Sequence, residues 1–175
     1  MPHGEWTEWF ENGQPAVSGQ WNRGLRHGLW TRWYENGSKR MECTFQADRL
    51  HGPYSVWDDS GRQLLLAEYK RDRPHGWWVA WWPGGAKRLD GQYINGKPHG
   101  RWTSYYPDGS KHGEGAFLDG LRNGLWIFWR ADGSMMAKGR FREDRPEGAL
   151  EVASDAEAAK DTDAMFRFEF DVQDR

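Results

Sequence analysis

Hydrophobic and polar residues alternate along most of this chain, and a glycine-containing dipeptide interrupts the alternation at regular intervals. Segments such as LWTRWYE and SKRMECTFQ flank Asn36-Gly37 and are rich in the β-branched and aromatic residues that favour a pleated surface. This pattern predicts a β-hairpin around each dipeptide. Because Asn-Gly and its relatives tolerate positive φ at both central residues, we expect a two-residue type I′ turn there.

The hairpin pattern recurs as a unit of 24 residues, and the units open at His3, His27, His51, His75, His99 and Asn123. A fixed period of this length indicates a repeat architecture. We therefore predict an all-β fold: an elongated single-layer antiparallel sheet of six stacked hairpins over residues 1–146. Residues 147–175 begin a seventh unit and then lose the period. They predict a degenerate C-terminal cap, with a short helix that begins at Ser154 and a strand across 166–172.

The expected turn determines which residues face each other across a hairpin. With the opening residue of each unit as position 1, position 4 faces position 17, so a large ring faces a small residue in every unit. Gly91 should accordingly lie under Trp78. The rings at positions 4 and 19 should form an aromatic spine on one face: Trp6, Trp21, Trp30, Phe45, Tyr54, Tyr69, Trp78, Tyr93, Trp102, Phe117, Trp126 and Phe141.

The opposite face is polar apart from one aromatic column at position 7, which ends at Trp129 and contains the candidates Trp9, Trp33, Trp57, Trp81 and Tyr105. Together with Trp82 and Tyr106 at position 8, these side chains are the candidate partner-binding residues, because Trp and Tyr are enriched in binding hot spots. Aromatic residues also stabilise sheets, so a purely structural role for the column stays open. The predicted register places Arg40 opposite Trp33 and Arg88 opposite Trp81, as cation–π pairs.

Composition and charge restrict the class of protein. Charged residues make up 29% of the chain, and no apolar run approaches the length of a membrane helix. The first residues lack a signal-peptide pattern, and the single cysteine, Cys43, fits a reducing compartment, so we expect a cytoplasmic protein. The net charge is -2, of which residues 147–175 carry -6. The repeats therefore carry +4 with acids interspersed, which disfavours nucleic-acid binding.

The sequence predicts no catalytic, cofactor-binding or metal-binding residues. It contains no phosphate-binding loop, zinc-protease motif or nucleophile elbow. The recurring histidines at position 1 should lie about 9.6 Å apart, two strands from one another, whereas zinc ligands lie about 2.0–2.3 Å from one ion. We expect each imidazole to bond a loop carbonyl instead. His112 lies outside this column and should be a surface residue that faces Tyr105.

The phrases GQYINGKPHGRW and YYPDGSKHGEGAF resemble the MORN repeat, and the Trp-x-x-Trp spacing resembles its bacterial YwqK-like antitoxin-component variant. The resemblance spans residues 3–146 in six copies. It implies a twisted sheet of stacked hairpins, protein binding or homodimerisation, and no catalytic residue.

These observations favour a non-enzymatic scaffold that binds a partner protein. One form of this function is an antitoxin or immunity component that binds a toxin and neutralises it. Two alternatives are a structural module that forms homodimers and a peripheral membrane-binding module. The membrane-binding module would require a basic face, which the sequence does not supply. Association should use the edge strand of the first hairpin, between Trp6 and Trp21, together with the aromatic column around Trp9, Trp33, Trp57 and Trp81.

Overall fold

A computed structural model describes residues 1–153, in which fourteen strands form one antiparallel sheet. The strands are β1 Gly4–Trp9, β2 Pro15–Asn22, β3 Leu25–Trp33, β4 Lys39–Gln46, β5 Arg49–Trp57, β6 Gln63–Lys70, β7 Arg73–Trp81, β8 Lys87–Ile94, β9 Lys97–Tyr105, β10 Lys111–Leu118, β11 Leu121–Trp129, β12 Met135–Arg142, β13 Arg145–Pro146 and β14 Glu151–Val152. Strands β1 to β13 are neighbours in chain order, and β14 also pairs with β12. The predicted all-β single sheet is therefore confirmed. The helix expected from Ser154 and the strand expected across 166–172 lie outside the described residues.

The turn inside each repeat has three residues, so the predicted type I′ turn at this place is wrong. In the second repeat, the N–H of Gly37 donates to the carbonyl of Tyr34 at 2.9 Å, and the N–H of Tyr34 donates to the carbonyl of Ser38 at 2.9 Å. Only the glycine has positive φ, which is the pattern of a type I turn followed by a left-handed glycine and a bulge. The side chain of Asn36 accepts the N–H of Ser38 at 2.9 Å and stabilises this form.

Type I′ geometry occurs instead in the two-residue turns between repeats. Both residues of Arg23-Gly24, Ala47-Asp48 and Asn95-Gly96 have positive φ, between 51° and 86°. Such turns match the right-handed twist of the strands that they join. Each later turn also bonds to the start of the strand that follows the preceding turn, as when the N–H of Gly120 donates to the carbonyl of Pro98 in β9 at 2.9 Å. Successive repeats are therefore linked along this margin of the sheet.

The predicted pairing of position 4 with position 17 is confirmed, as in Trp78 opposite Gly91. Next to each within-repeat turn, however, the pairing is shifted by one residue, so that Trp33 pairs with Lys39 instead of Arg40. A three-residue turn moves the strands by one residue, and the bulge then compensates for that shift. The register expected from the wrong turn type is thus correct along most of each hairpin and wrong beside the turn.

Trp102 from the next repeat, and not Trp78, lies over Gly91. A Cβ added to Gly91 would overlap atoms of the Trp102 indole, and the indole N–H donates to the carbonyl of Gln92 at 3.1 Å. Trp30 over Gly19 and Trp126 over Gly115 repeat this arrangement. The small residue at position 17 therefore holds neighbouring repeats together, because it makes room for the ring of the following repeat.

The spine rings form the core on one side of the sheet, which we call the inner face; the side with Trp9 and Trp33 is the outer face. Many adjacent rings of the spine meet edge to face, as do Phe117 and Trp126, whose centroids lie 4.8 Å apart. Trp126 is fully buried, whereas Trp6 at the first strand is 36% exposed. The buried core has two clusters, one around Trp30, Cys43 and Phe45 and one from Val56 to Phe141, and Tyr54 contacts both.

The start of the seventh unit covers the last full strand. β13 and β14 both pair with β12. Leu150 occupies position 4 of this unit, and a Cβ added to Gly139 would overlap its side chain. Leu150 thus takes the place that a tryptophan occupies at four earlier repeat junctions, namely Trp30, Trp78, Trp102 and Trp126.

Candidate functional site

The candidate binding column lies on the outer face, at the end of each odd-numbered strand beside the within-repeat turn. Trp9 is 65% exposed because it lies on β1, which pairs only with β2. The other members of the column, Trp33, Trp57, Trp81 and Tyr105, are half-buried. Neighbouring members are two strands apart, about 9.6 Å, so the column is a ladder of separate rings across the sheet.

Lysines, and not the predicted arginines, accompany this column. The ammonium of Lys87 lies 5.7 Å from the ring centroid of Tyr105 in the following repeat. The predicted pair of Arg88 with Trp81 is wrong, because the bulge turns position 14 towards the inner face. The guanidinium of Arg88 lies instead 5.6 Å from the ring centroid of Trp82. The predicted pair of Arg40 with Trp33 is wrong for the same reason, since Arg40 lies over Tyr34.

The aromatic residues at position 8 bond to the next repeat. The indole N–H of Trp82 donates to the carbonyl of Tyr105 at 3.0 Å, and the hydroxyl of Tyr106 donates to the carbonyl of Trp129 at 2.9 Å. Tyr34 makes the equivalent bond to Trp57 at 3.0 Å. These bonds give the candidate residues Trp82 and Tyr106 a structural role that the sequence analysis missed. The signal for it was the recurrence at position 8 of aromatic residues that carry a donor.

The histidines of position 1 are distributed along the sheet, and the described residues contain no group of three or more His, Cys, Asp or Glu placed to hold a metal ion. The expected bond from imidazole to a loop carbonyl is wrong for His75, whose Nδ1 accepts the N–H of Asn95 at 3.3 Å. The Nδ1 atoms of His51 and His99 are buried without a hydrogen-bond partner. At His75 the next turn therefore presents a backbone N–H to the imidazole, and not a carbonyl.

His112 does not face Tyr105, and that expectation is wrong. It lies at position 14, where the bulge directs the side chain to the inner face. Its ring meets those of Tyr106 and Phe128 with centroids 4.9 and 5.7 Å away, and its Nδ1 lies 3.1 Å from the hydroxyl of Ser104. Burial lowers the pKa of His112 below its ordinary value, since the charged imidazolium would lose hydration.

Cys43 fills the small-residue column, as the sequence suggested, and is 1% exposed. Burial raises the pKa of its thiol to about 11. A thiol with this pKa is a poor nucleophile at neutral pH, so its environment is that of a packing residue.

The open edge of β1 is the second candidate surface. All six residues of the strand are exposed, including Trp6. Three acidic side chains, Glu5, Glu8 and Glu11, lie on or beside this strand, and none of the ion pairs found within residues 1–153 includes them. An unpaired strand of this kind can accept another strand through its backbone groups.

Family models match four segments of the sheet. Residues 2–22 and 26–47 match the model of the MORN repeat variant, and residues 90–111 and 114–135 match the model of the MORN repeat. Each of the two models covers about a quarter of the chain. No curated protein resembles the chain closely enough to count as a relative.

MORN repeats are scaffolds that commonly bind proteins or membranes, and no catalytic family is among the matches. The part of the chain that the structure describes has no helix of the length and apolarity needed to cross a membrane. The segments of this chain that match the two models are thus similar to repeats that commonly bind proteins or membranes. The outer aromatic column and the β1 edge are the two candidate surfaces for such binding.

Proposed function

We propose that this chain is a non-enzymatic scaffold that binds another protein through the aromatic column of the outer face. The observation that carries the proposal is the exposure of Trp9, at 65%, at the end of a ladder of half-buried rings. Aromatic side chains of this kind supply large contact areas at interfaces. An antitoxin or immunity component that neutralises a toxin is the form of this function that the YwqK-like resemblance implies.

The charges of the outer face support a protein partner over a membrane surface. Lys39, Lys87 and Lys111 form ion pairs with acids on their own strands, at 2.6, 3.3 and 2.8 Å. Their charge is therefore largely balanced, whereas binding to anionic lipids needs an excess of basic residues near the surface.

Self-association is a second candidate function, and the unpaired edge of β1 favours it. Two copies could join their sheets there by strand pairing. Sedimentation velocity over a range of protein concentrations tests this candidate, since a monomer at all concentrations would contradict it.

Charge substitution in the column tests the main proposal. Trp9→Asp and Trp33→Asp should each weaken partner capture, because a carboxylate would have to be desolvated in the interface. Leu118→Asp is the matched control, since Leu118 is 49% exposed at the opposite margin of the sheet. The assay is affinity capture with mass spectrometry, repeated with the toxin-like product of a neighbouring gene where one is encoded.

Unchanged far-UV circular dichroism must accompany the loss of binding. If both tryptophan variants retain all partners, or if they unfold while the control stays folded, the column is structural and the proposal is wrong.

A further inference from the structure

At three junctions between repeats, an indole ring lies over the glycine at position 17 of the preceding repeat. Trp102 lies over Gly91 and donates its N–H to the carbonyl of Gln92, and Trp126 lies over Gly115 and donates to the carbonyl of Ala116 at 3.1 Å. The aromatic residue two positions after the glycine meets the same ring at its edge, as Tyr93 meets Trp102 with centroids 5.1 Å apart. Odd-numbered strands therefore accept a neighbour with the sequence small-x-aromatic.

Trp6 is the only one of these rings in the described residues without a strand to lie over. It occupies position 4 of the first repeat, and β1 has no partner on its outer edge within residues 1–153. The indole N–H of Trp6 has no acceptor among the described residues, and the side chain is 36% exposed. The first repeat thus displays half of a junction whose other half is present five times along the sheet.

The other junctions show which residues an added strand would bring to β1. At the junction of β6 with β7, Trp78 pairs with Ala67, and Ala80 pairs with Leu65, two residues earlier. The equivalents of Trp78 and Ala80 on β1 are Trp6 and Glu8. An added antiparallel strand would therefore place its small residue beside Trp6 and the residue two positions earlier beside Glu8.

Glu8 places a negative charge at a position where the other described repeats have none. Val56, Ala80 and Phe128 occupy this position in three later repeats and are buried, whereas the other two repeats have Arg32, which pairs with Val17, and Ser104. Opposite charges that face each other across a strand pair stabilise it, and like charges destabilise it. The carboxylates of Glu5 and Glu8 also oppose pairing with β1 of a second copy, because the two edges would bring the same acids together.

We propose that the β1 edge binds an antiparallel strand of a partner protein with the sequence basic-x-small-x-aromatic. Lys or Arg faces Glu8, Gly, Ala or Cys admits the ring of Trp6, and the aromatic residue meets that ring at its edge. The inference rests on the proposed protein-binding function and adds to it a second surface and the chemistry of the segment bound.

Strand peptides test the recognition rule directly. The probe is a fluorescein-labelled copy of residues 87–94 with Leu89→Lys, which has the proposed sequence, titrated with the full chain in a fluorescence anisotropy assay. Adding Gly91→Val to the probe should weaken binding by about tenfold or more, because the branched side chain would overlap Trp6. Replacing the lysine by Leu89→Glu should weaken it by about threefold or more at low salt, because two carboxylates would then face each other.

Variants of the full chain identify the surface. Trp6→Ala should abolish binding of the probe, and Trp77→Ala should leave it unchanged, since Trp77 is 57% exposed on the outer face in the middle of the sheet. Glu8→Lys should reverse the preference between the Leu89→Lys and Leu89→Glu probes. The proposal is overturned if Gly91→Val in the probe or Trp6→Ala in the chain leaves the affinity unchanged. It is also overturned if the Glu8→Lys chain still prefers the Leu89→Lys probe.

A grafted strand covers the case in which an isolated peptide binds too weakly to detect. Residues 87–96 with Leu89→Lys are placed before Met1, so that the chain's own type I′ turn, Asn95-Gly96, connects the added strand to β1. Amide hydrogen exchange in β1 should slow by about tenfold or more in the graft, and this protection should be lost with Gly91→Val. If neither the peptide nor the graft engages β1, the proposal is wrong.

The same graft separates this inference from the proposed function. Partner capture that survives the graft but is lost with Trp9→Asp would retain the outer-face scaffold and refute the edge. A dimer in sedimentation experiments that Trp6→Ala abolishes would assign the edge to a second copy and also refute a partner strand. If the graft abolishes partner capture and Trp9→Asp does not, the result supports binding of the partner at the β1 edge.

Discussion

Replacing Gly91 with valine should strongly destabilise the sheet, because the Trp102 indole fills the space above this glycine. A Cβ there would lie closer to Cδ2 and Cε2 of the indole than the 3.0 Å that real Cβ atoms keep, and Trp102 is fully buried. The ring would have to move and would lose its 3.1 Å bond to the carbonyl of Gln92. Overpacking costs about 1–3 kcal/mol and a lost hydrogen bond about 1 kcal/mol, so we expect a loss of about 2–4 kcal/mol.

The third repeat contains a natural version of this change. Ala67 takes the place of the glycine there, and the indole N–H of Trp78 is buried without a partner. Gly91→Ala should therefore reproduce the arrangement of Trp78 at a smaller cost than Gly91→Val. Comparison of the two variants separates the loss of the hydrogen bond from the steric effect of the larger side chain.

Gly84→Val is the matched control, because Gly84 has ordinary φ and no atom within 4 Å of an added Cβ. The assay is urea unfolding followed by far-UV circular dichroism. The Gly91→Val midpoint should fall by about 1–2 M for an unfolding slope of about 2 kcal/mol/M, while the Gly84→Val midpoint should barely move. Coincident curves for Gly91→Val and Gly84→Val would refute the proposed packing of Trp102 over Gly91.

Three further predictions concern the core, a turn and a buried imidazole. Cys43 should resist a thiol reagent at pH 8 in the folded protein and react after unfolding in urea, because a pKa of about 11 leaves on the order of one thiolate in a thousand; fast reaction of the folded protein would contradict this. Ala47→Gly should raise the free energy of unfolding by about 1 kcal/mol, since Ala47 has a φ of 51°, whereas Ala86→Gly should lower it; urea titrations that order the two variants the other way would exclude the strain argument. The pKa of His112 is lowered in the folded state, so its protonation favours unfolding as the pH falls below about 6.5. His112→Gln should accordingly lose less stability than the parent between pH 7 and 5.5 in thermal melts, and parallel losses would argue against burial of the imidazole.

The sequence alone determined the architecture, because repetition makes a weak local signal strong. One Asn-Gly between two alternating segments predicts a single hairpin, but six such segments at one spacing predict a stack of hairpins. The pairing of position 4 with position 17 was also readable, since a ring faced Gly, Ala or Cys in every unit. The aromatic column at position 7 was visible for a similar reason, as one recurring exception on a polar face.

Only the tertiary structure decided the details beside the turns. Asn36-Gly37 is compatible with both a type I′ turn and a type I turn with a bulge, and the two differ in where one extra residue is placed. That residue decides whether Arg88 faces Trp81 or Trp82, and whether His112 is exposed or packed against Phe128. Local preference does not separate these choices, because their energies depend on contacts with the next repeat.

The same limit applies to the junctions between repeats. Register indicates that Gly91 pairs with Trp78, but it does not indicate which of two neighbouring rings lies over the glycine. That outcome depends on how the side chains of adjacent repeats fit together, including the bond from Trp102 to the carbonyl of Gln92. A stack of hairpins already implied an unpaired edge at the first hairpin. The assembled sheet adds that Trp6 has no strand to lie over within residues 1–153 and that Glu8 lies on the same face of β1.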